Sequence, residues 1–348
     1  MPFSVTVQPS GHQFEVDDHE TVLVAALRAG VGLPYGCKNG ACGSCKGKVL
    51  QGEIEQGAHT EQALGPSELA QGAALFCCAK ARSDLVIECR EVKGAADLQV
   101  RKLPCRIAAL EPVAPDVVVM RLQLPANERL QYIAGQYLEF MLKDGQRRSY
   151  SMASAPATSD QVELHLRHMP GGVFTDAVFG VAEKPLKLRD ILRFEGPFGT
   201  FLLQEDSFRP VVFVVSGTGF APVKAIIEDV IAKKMSLPMT LYWGGRRPQD
   251  LYMAELARSW EAVLPAFRFV PVISDALPED EWVGRSGFVH RAVMDDFPDL
   301  SRHQVYACGA PVMVESARRD FTEGCGLPEA EFFSDAFTTS ADLARAVA

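Results

Sequence analysis

Three cysteines, Cys37, Cys42 and Cys45, crowd into one loop, and a pair, Cys77 and Cys78, follows further along the chain. C-x4-C-x2-C with one more thiolate downstream is the spacing by which sulfurs hold a 2Fe–2S cluster. The loop 35–45 reads Tyr-Gly-Cys-Lys-Asn-Gly-Ala-Cys-Gly-Ser-Cys. Its small residues Gly36, Gly40, Ala41, Gly43 and Ser44 let backbone N–H groups approach anionic sulfurs, and such hydrogen bonds help set a reduction potential. Four thiolates are required, so Cys77 or Cys78 completes the set. Zinc also takes four cysteines, but usually as two short-spaced pairs, whereas this chain offers three plus one. A Rieske centre needs two histidines in place of two cysteines, and no Cys-x-His pair occurs.

Two glycine-bearing segments suit phosphate. Ser216-Gly217-Thr218-Gly219-Phe220-Ala221-Pro222 lies between the apolar run 211–215 and a helical pattern carrying Val223, Ile226, Ile227, Val230 and Ile231 on one side. Strand, glycine turn and helix is a phosphate-binding arrangement, although no third glycine completes the Rossmann G-x-G-x-x-G. In His165-Leu166-Arg167-His168-Met169-Pro170-Gly171-Gly172-Val173-Phe174-Thr175 the glycine pair lets the backbone close on phosphate oxygens, and Thr175 is expected to open a helix. On their own, His165 and His168 read as polar strand residues, not as ligands or acids.

The elements that must position these residues fall into three blocks. In the first, segments 3–7, 13–16, 46–50 and 85–89 read as short strands and 21–29 as a helix with Leu23, Ala26 and Leu27 on one side. A linker, Gly94-Ala95-Ala96-Asp97, leads to alternating segments broken by Pro104, Pro112, Pro115 and Pro125, the pattern of an antiparallel barrel. Gly196-Pro197-Phe198-Gly199 is expected as its closing turn. Beyond it, strands at 211–215, 239–245, 267–273 and 304–309 alternate with helical stretches, which implies a doubly wound parallel sheet with ligands at the strand C-terminal ends. Those ends carry Gly217-Thr218-Gly219, Gly244-Gly245-Arg246-Arg247 and Cys308-Gly309-Ala310-Pro311.

Arg148-Ser149-Tyr150-Ser151 matches the R-x-Y-S motif of the ferredoxin-NADP reductase family, and segment 165–175 and the G-T-G-x-A-P form of 217–222 also resemble that family. The resemblance implies a multidomain α/β chain: a β-grasp 2Fe–2S ferredoxin domain over 1–93, an antiparallel β-barrel FAD domain over 98–205, and a doubly wound parallel α/β NAD(P) domain over 206–348. It implies that Cys77 joins Cys37, Cys42 and Cys45 as the fourth ligand of a plant-type cluster. It further implies that Arg148 pairs with the flavin pyrophosphate, that Tyr150 packs on the flavin rings, and that the Ser151 hydroxyl lies near the flavin N5. His165, Leu166, Arg167, Gly171, Gly172, Val173, Phe174 and Thr175 would complete the FAD contacts. Gly217, Thr218, Gly219, Arg246 and Gly309 would hold the nicotinamide nucleotide, with Cys308 beside the nicotinamide. Ser334-Asp335-Ala336-Phe337 resembles the family's acid and aromatic against the flavin, Phe337 covering the ring. Plant-type members stop at that aromatic, whereas this chain continues.

Across nearly its whole length the sequence is similar to bacterial reductases with an N-terminal ferredoxin. Loop 34–49 and Tyr242-Trp243-Gly244-Gly245-Arg246-Arg247 look closest to the CDP-6-deoxy-delta-3,4-glucoseen reductases, whose acceptor is a pyridoxamine-dependent dehydrase. Oxygenase reductase components share the architecture, so an oxygenase component is the rival acceptor. Nicotinamides yield two electrons as hydride, a 2Fe–2S cluster takes one, and flavin can do both, so the implied path runs from NAD(P)H through FAD to the cluster and on to a protein partner. NADH is favoured, while Arg246 and Arg247 keep NADPH open through its 2′-phosphate. A passive carrier would need only the cluster block, and a free flavin or ferric reductase would not need the attached ferredoxin. A net charge of −9 argues against nucleic acid and anionic membranes. The first residues lack the features of a signal peptide and no run of some twenty apolar residues occurs, so a cytoplasmic protein is expected, and a monomer suits a chain that must dock to different partners in turn.

Overall fold

Alternating apolar residues place Val5 and Val7 of β1 (Phe3–Gln8) and Phe14 and Val16 of β2 (Gln13–Val16) in one buried layer. Helix α1 (Val22–Arg28) covers it with Val22, Leu23, Ala25 and Ala26, its start capped by Thr21, whose hydroxyl accepts from Val24 N–H at 3.4 Å. Strand β3 (Lys46–Gln51), β4 (Ile54–Gln56), helix α2 (Pro66–Ala70), β5 (Ala73–Leu75), β6 (Ala79–Ala81) and β7 (Leu85–Glu88) follow. The sheet order is β2-β1-β7-β3-β5, with β1 and β7 parallel, and β4 pairs separately with β6. The cysteine loop spans the gap between α1 and β3. The computed structural model describes residues 2–94, 98–158 and 160–338; Ala95, Ala96 and Asp97 of the expected linker and the tail beyond Thr338 lie outside the described residues.

The second block is a six-stranded antiparallel sheet built from β8 (Arg101–Ala114), β9 (Val117–Gln123), β10 (Tyr137–Met141), β11 (Arg147–Ser151), β12 (Gln161–Arg167) and β13 (Ile191–Phe198), with the short helix α3 (Val173–Val178) after β12. The order is β11-β10-β13-β8-β9-β12, and a bridge between Met152 and Leu164 joins its two edges into a barrel. Leu138, Phe140, Met152, Leu164, Leu166 and Phe194 fill the interior. Two local expectations are corrected here. Gly196-Pro197-Phe198 is not a turn but the end of β13: Gly196 stands opposite Arg101 and Phe198 opposite Tyr137, because the ladder with β8 and β10 runs through the proline. Helix α3 opens at Val173 with Gly172 as its cap, two residues before Thr175, whose hydroxyl donates back to the Met169 carbonyl at 2.9 Å.

The third block comprises β14 (Val211–Ser216), α4 (Phe220–Ala232), β15 (Met239–Gly245), α5 (Ala254–Ser259), β16 (Phe267–Ile273), β17 (Arg285–Ser286), α6 (Val289–Asp296), β18 (Gln304–Gly309), α7 (Pro311–Gly324) and β19 (Phe332–Ala336). Its sheet order β17-β16-β15-β14-β18-β19 reverses direction between β14 and β18, and the pairs from β17 to β18 are parallel. Near-continuous apolar strands such as Val211–Ser216 fit a sheet buried on both faces. The chain divides into two units. One gathers the first 99 residues with Gly199–Phe201 and the segment from Ser334, and the other joins the barrel to the nucleotide-type sheet. Among the described residues no helix is long and apolar enough to cross a membrane.

Candidate functional site

The cysteine loop folds back so that Cys37 N–H donates to Cys42 Sγ and Cys42 N–H to Cys37 Sγ, both at 3.3 Å. The Cys77 thiol meets those of Cys37 and Cys45, while Cys78 touches Cys77 at 3.5 Å. Gly40, with φ +80°, cannot carry a side chain: a Cβ there would lie 2.5 Å from the Ala58 carbonyl oxygen. The bond to Cys37 and burial both push the Cys42 thiol well above its ordinary range. Among the described residues no three His, Cys, Asp or Glu side chains are placed to share a single ion. The donor set, four sulfurs of which Cys37 and Cys42 accept from backbone N–H groups, fits a two-iron cluster, whose irons take thiolates two by two. Within the same unit Thr200 holds the loop's start, its hydroxyl accepting from Tyr35 N–H at 2.7 Å and donating to the Tyr35 carbonyl at 2.9 Å. Ser44 Oγ donates to the Ser334 carbonyl at 3.1 Å, and Asp335 Oδ1 lies 3.4 Å from where a Gly36 Cβ would be. The predicted flavin acid is therefore beside the cysteine loop.

On the barrel, β11 carries Arg148, Tyr150 and Ser151. The Arg148 guanidinium donates only to neutral oxygens among the described residues, the Arg147 carbonyl at 2.8 Å and Gln146 Oε1 at 2.5 Å, so its charge is not matched by a carboxylate. Tyr150 packs against Phe140 and Phe174, with ring centroids 6.0 and 5.5 Å apart. Ser151 is buried, as are Leu166 and Phe174, both of which belong to the barrel core. Val173 is exposed. A part for Leu166 in holding FAD would thus rest on its backbone. The same is true of His165, whose ring has no exposed surface and bonds to Glu163 and Tyr252.

Arg167, at the end of β12, points toward the turn after β14: its Nη1 is 2.7 Å from where a Gly217 Cβ would sit. Its Nε lies 3.1 Å from Asp116 Oδ2 but off the hydrogen-bond axis, leaving Nε and Nη2 buried without a hydrogen-bond partner among the described residues. A buried guanidinium in that state fits an anionic group such as pyrophosphate. The turn itself is locked from below. A Cβ on Gly219 would stand 2.2 Å from the Cys308 carbonyl oxygen, and Ser216 Oγ accepts from Ala310 N–H at 3.0 Å. This is the point of strand-order reversal at the carboxyl ends of β14 and β18, where open α/β sheets bind their ligands. Trp243 Nε1–H donates to the Gly217 carbonyl at 3.1 Å, and Phe220 stacks on the indole at 3.9 Å.

Arg246 and Arg247 separate. Arg246 is largely exposed, whereas Arg247 is clamped by both oxygens of Asp280, at 2.5 and 2.7 Å. Phe337 follows directly on β19. Sequence reasoning passed over Thr200, Glu163, Lys224 and Tyr252. Lys224 alone left a signal: a lysine among Val223 and Ile227 on the apolar side of a helix.

Three family models match the chain: 2Fe-2S iron-sulfur cluster binding domain over 5–82, oxidoreductase FAD-binding domain over 104–202, and oxidoreductase NAD-binding domain over 213–319. The CDP-6-deoxy-L-threo-D-glycero-4-hexulose-3-dehydrase reductase of Yersinia pseudotuberculosis is 41% identical over 340 residues, covering 98% of this chain and all of the relative. Reductase component 2 of terephthalate 1,2-dioxygenase from Comamonas is 36% identical over 341 residues, 97% of this chain and 98% of the relative. Among solved structures, the Amycolatopsis cytochrome P450 reductase GcoB aligns with a TM-score of 0.74 at 33% identity, covering 97% of this chain and 99% of that one.

Proposed function

Since the chain belongs to the ferredoxin-NADP reductase family of NAD(P)H-dependent iron–sulfur flavoproteins with an N-terminal 2Fe–2S ferredoxin, we propose that its electron acceptor is a dehydrase acting at C3 of a nucleotide-linked 6-deoxy-4-hexulose. The likeness to a dehydrase reductase over nearly the full length of both chains carries this reading. An oxygenase component is the second reading, favoured by the similarly complete likeness to a dioxygenase reductase.

When bound, FAD and the cluster together turn a hydride into single electrons. The chain's own part is to bind and orient. Cys37, Cys42, Cys45 and Cys77 hold the cluster, a choice of Cys77 over Cys78 supported by its contact with both Cys37 and Cys45. Arg148 and Arg167 meet phosphate charge, with Gly171, Gly172 and Thr175 beside it. Tyr150 packs on the flavin rings and Ser151 offers a hydroxyl to the reacting centre, while Asp335 lies beside the cysteine loop. Gly217, Thr218, Gly219, Gly309 and Arg246 receive the nicotinamide nucleotide, with Cys308 at the strand end next to it. NADH is the preferred donor, because Asp280 already neutralises Arg247. The functional division runs 1–93, 98–205 and 206–348, supported by the spans of the three matched models. The protein works as a cytoplasmic monomer, and a reducing compartment suits nine cysteines with no disulfide among the described residues.

Anaerobic titration with NADH, following flavin bleaching and the cluster's low-temperature EPR signal, tests the electron path. Mixing the reduced protein with a purified 3-dehydrase and its substrate, or with an oxygenase component, tests the acceptor. Rapid cluster reoxidation by the dehydrase alone is the expected result; reoxidation by the oxygenase component alone replaces the first reading with the second.

A further inference from the structure

A buried polar network runs through the larger unit from the flavin-type strand to the nicotinamide-type turn, and no cofactor contact explains it. Lys224, on α4 just after the glycine turn, is buried; its ammonium donates to Ala153 O at 3.1 Å and Glu228 Oε2 at 2.9 Å and is ion-paired with Glu163 Oε1 at 3.1 Å. Ala153 lies two residues beyond Ser151. Glu163 Oε1 also meets His165 Nε2 at 3.0 Å, and His165 Nδ1 meets the Tyr252 hydroxyl at 2.9 Å. A carboxylate only accepts, so Nε2 carries the imidazole proton and Tyr252 O–H donates to Nδ1. Burial lowers the His165 pKa against the pull of Glu163, which keeps the ring neutral in this arrangement. The Tyr252 ring stands edge-on to Trp243 at 5.1 Å, and Trp243 Nε1–H donates to the Gly217 carbonyl.

We propose that Lys224, acting through Glu163, His165 and Tyr252, is a positioning residue that fixes the turn Gly217–Gly219 against the segment Ser151–Ala153 at the end of β11 and so sets the geometry for hydride transfer. The proposal rests on the reading of Ser151 as a flavin residue and of the turn as a nicotinamide residue set. Its hydrogen bonds are short and directional as far as the Tyr252 hydroxyl, from which an edge-on ring contact at 5.1 Å leads to Trp243, and a lysine at this place is costly to bury unless it is paired and hydrogen-bonded. An apolar residue would pack α4 against the barrel without fixing register. The lysine instead bonds Ala153 O of one block and Glu228 Oε2 of the other, with Glu163 beside it as an ion pair.

The test compares Lys224→Met and Tyr252→Phe with the wild-type holoprotein. FAD content is measured first, then the flavin reduction rate at saturating NADH, flavin reduction by dithionite, and hydrogen exchange of the peptide spanning 211–224. For K224M the expected results are an NADH-driven rate lower by about 10- to 100-fold, since misplacement by about 1 Å costs on that order, with dithionite reduction unchanged and faster exchange in the turn. Y252F should show the same pattern at about 2- to 5-fold, the cost of one neutral hydrogen bond. It removes one hydroxyl and decides the matter should K224M lose FAD. Wild-type NADH rates with wild-type exchange in Y252F, or in K224M with full FAD, overturn the proposal. A wild-type protein whose flavin NADH does not reduce refutes instead the reading of the site on which it rests.

Discussion

Replacing Gly219 by alanine puts a methyl group where there is no room. Its Cβ would lie 2.2 Å from the Cys308 carbonyl oxygen, 2.6 Å from the Cys308 carbonyl carbon and 2.9 Å from Gly309 Cα. All three are backbone atoms at the end of an inner strand whose Cys308 is in register with Val215. No rotamer change can relieve the clash, so the turn or the end of β18 must shift by about 1 Å to restore normal van der Waals separation. Overpacking of this kind costs about 1–3 kcal/mol, which in a unit of this size lowers Tm by roughly 2–10 °C. The same displacement should slow flavin reduction by saturating NADH about 100-fold and raise the NADH concentration needed. Stopped-flow bleaching of the flavin gives the rate, a thermal melt gives the stability, and dithionite reduction of the cluster controls for damage elsewhere. A lowered Tm with an unchanged NADH rate would remove the turn from the hydride geometry. An unchanged Tm would refute the packing argument itself.

Cys77→Ser should abolish the rhombic EPR signal and the visible absorbance of the cluster, whereas Cys78→Ser should keep both; the opposite pattern reassigns the fourth ligand. Asp280→Ala releases Arg247 from a two-oxygen clamp and should lower the KM for NADPH by about 2- to 5-fold, on the scale of one exposed charge contact, while leaving that for NADH within twofold; steady-state kinetics with both nucleotides decides. Acid should weaken the larger unit in two stages. Burial pushes the Glu163 carboxyl up, but His165 and Lys224 outweigh it and hold it at about 2, against an ordinary 4.5. The folded protein therefore binds fewer protons than the unfolded chain between those values. The stabilisation is complete above pH 4.5 and drains as pH falls toward 2, amounting to about 3 kcal/mol by linkage. His165, depressed below 6.5 by burial, adds an earlier loss as pH falls through its folded pKa. Urea midpoints measured from pH 7 to pH 3 should fall less steeply below pH 4.5 in Glu163→Gln than in wild type, and parallel curves would count against the network's charge balance.

Residues whose chemistry depends on near neighbours were legible in the sequence. The cysteine loop is local, and so are the strands Met239–Gly245, Phe267–Ile273 and Gln304–Gly309, whose ends the apolar pattern marks to the residue. Gly196-Pro197-Phe198 misled because proline and glycine signal a turn when read locally, while the pairing of Gly196 with Arg101 is set by a strand some ninety residues away. Thr175 misled for a related reason: Gly172 could serve as cap, and the threonine hydroxyl was needed to close the loop on Met169. Lys224 stands 71 residues from its acceptor Ala153, and Tyr252 stands 87 from His165. No periodicity reports such pairings, and a lysine on an apolar helix face marks only that some partner exists.

The division of the chain into two units matches a difference between the two transfers it supports. Passing a hydride requires reacting atoms about 3–3.5 Å apart and aligned, so the elements on either side of it must be fixed to each other to within a fraction of that distance. The barrel and the nucleotide-type sheet do lie in one unit. Within it their contact includes Lys224 bonded to Ala153 and Glu228 and ion-paired with Glu163, and His165 between Glu163 and Tyr252. A single electron needs no bond-forming contact, so the cysteine-bearing unit is under no such demand. Within that unit the loop is fastened by Thr200 at Tyr35 and by Ser334 at Ser44. If this is the reason for the division, substitutions in the Lys224 network should affect only flavin reduction by nicotinamide, and substitutions at Thr200 should affect only the cluster's spectrum and potential.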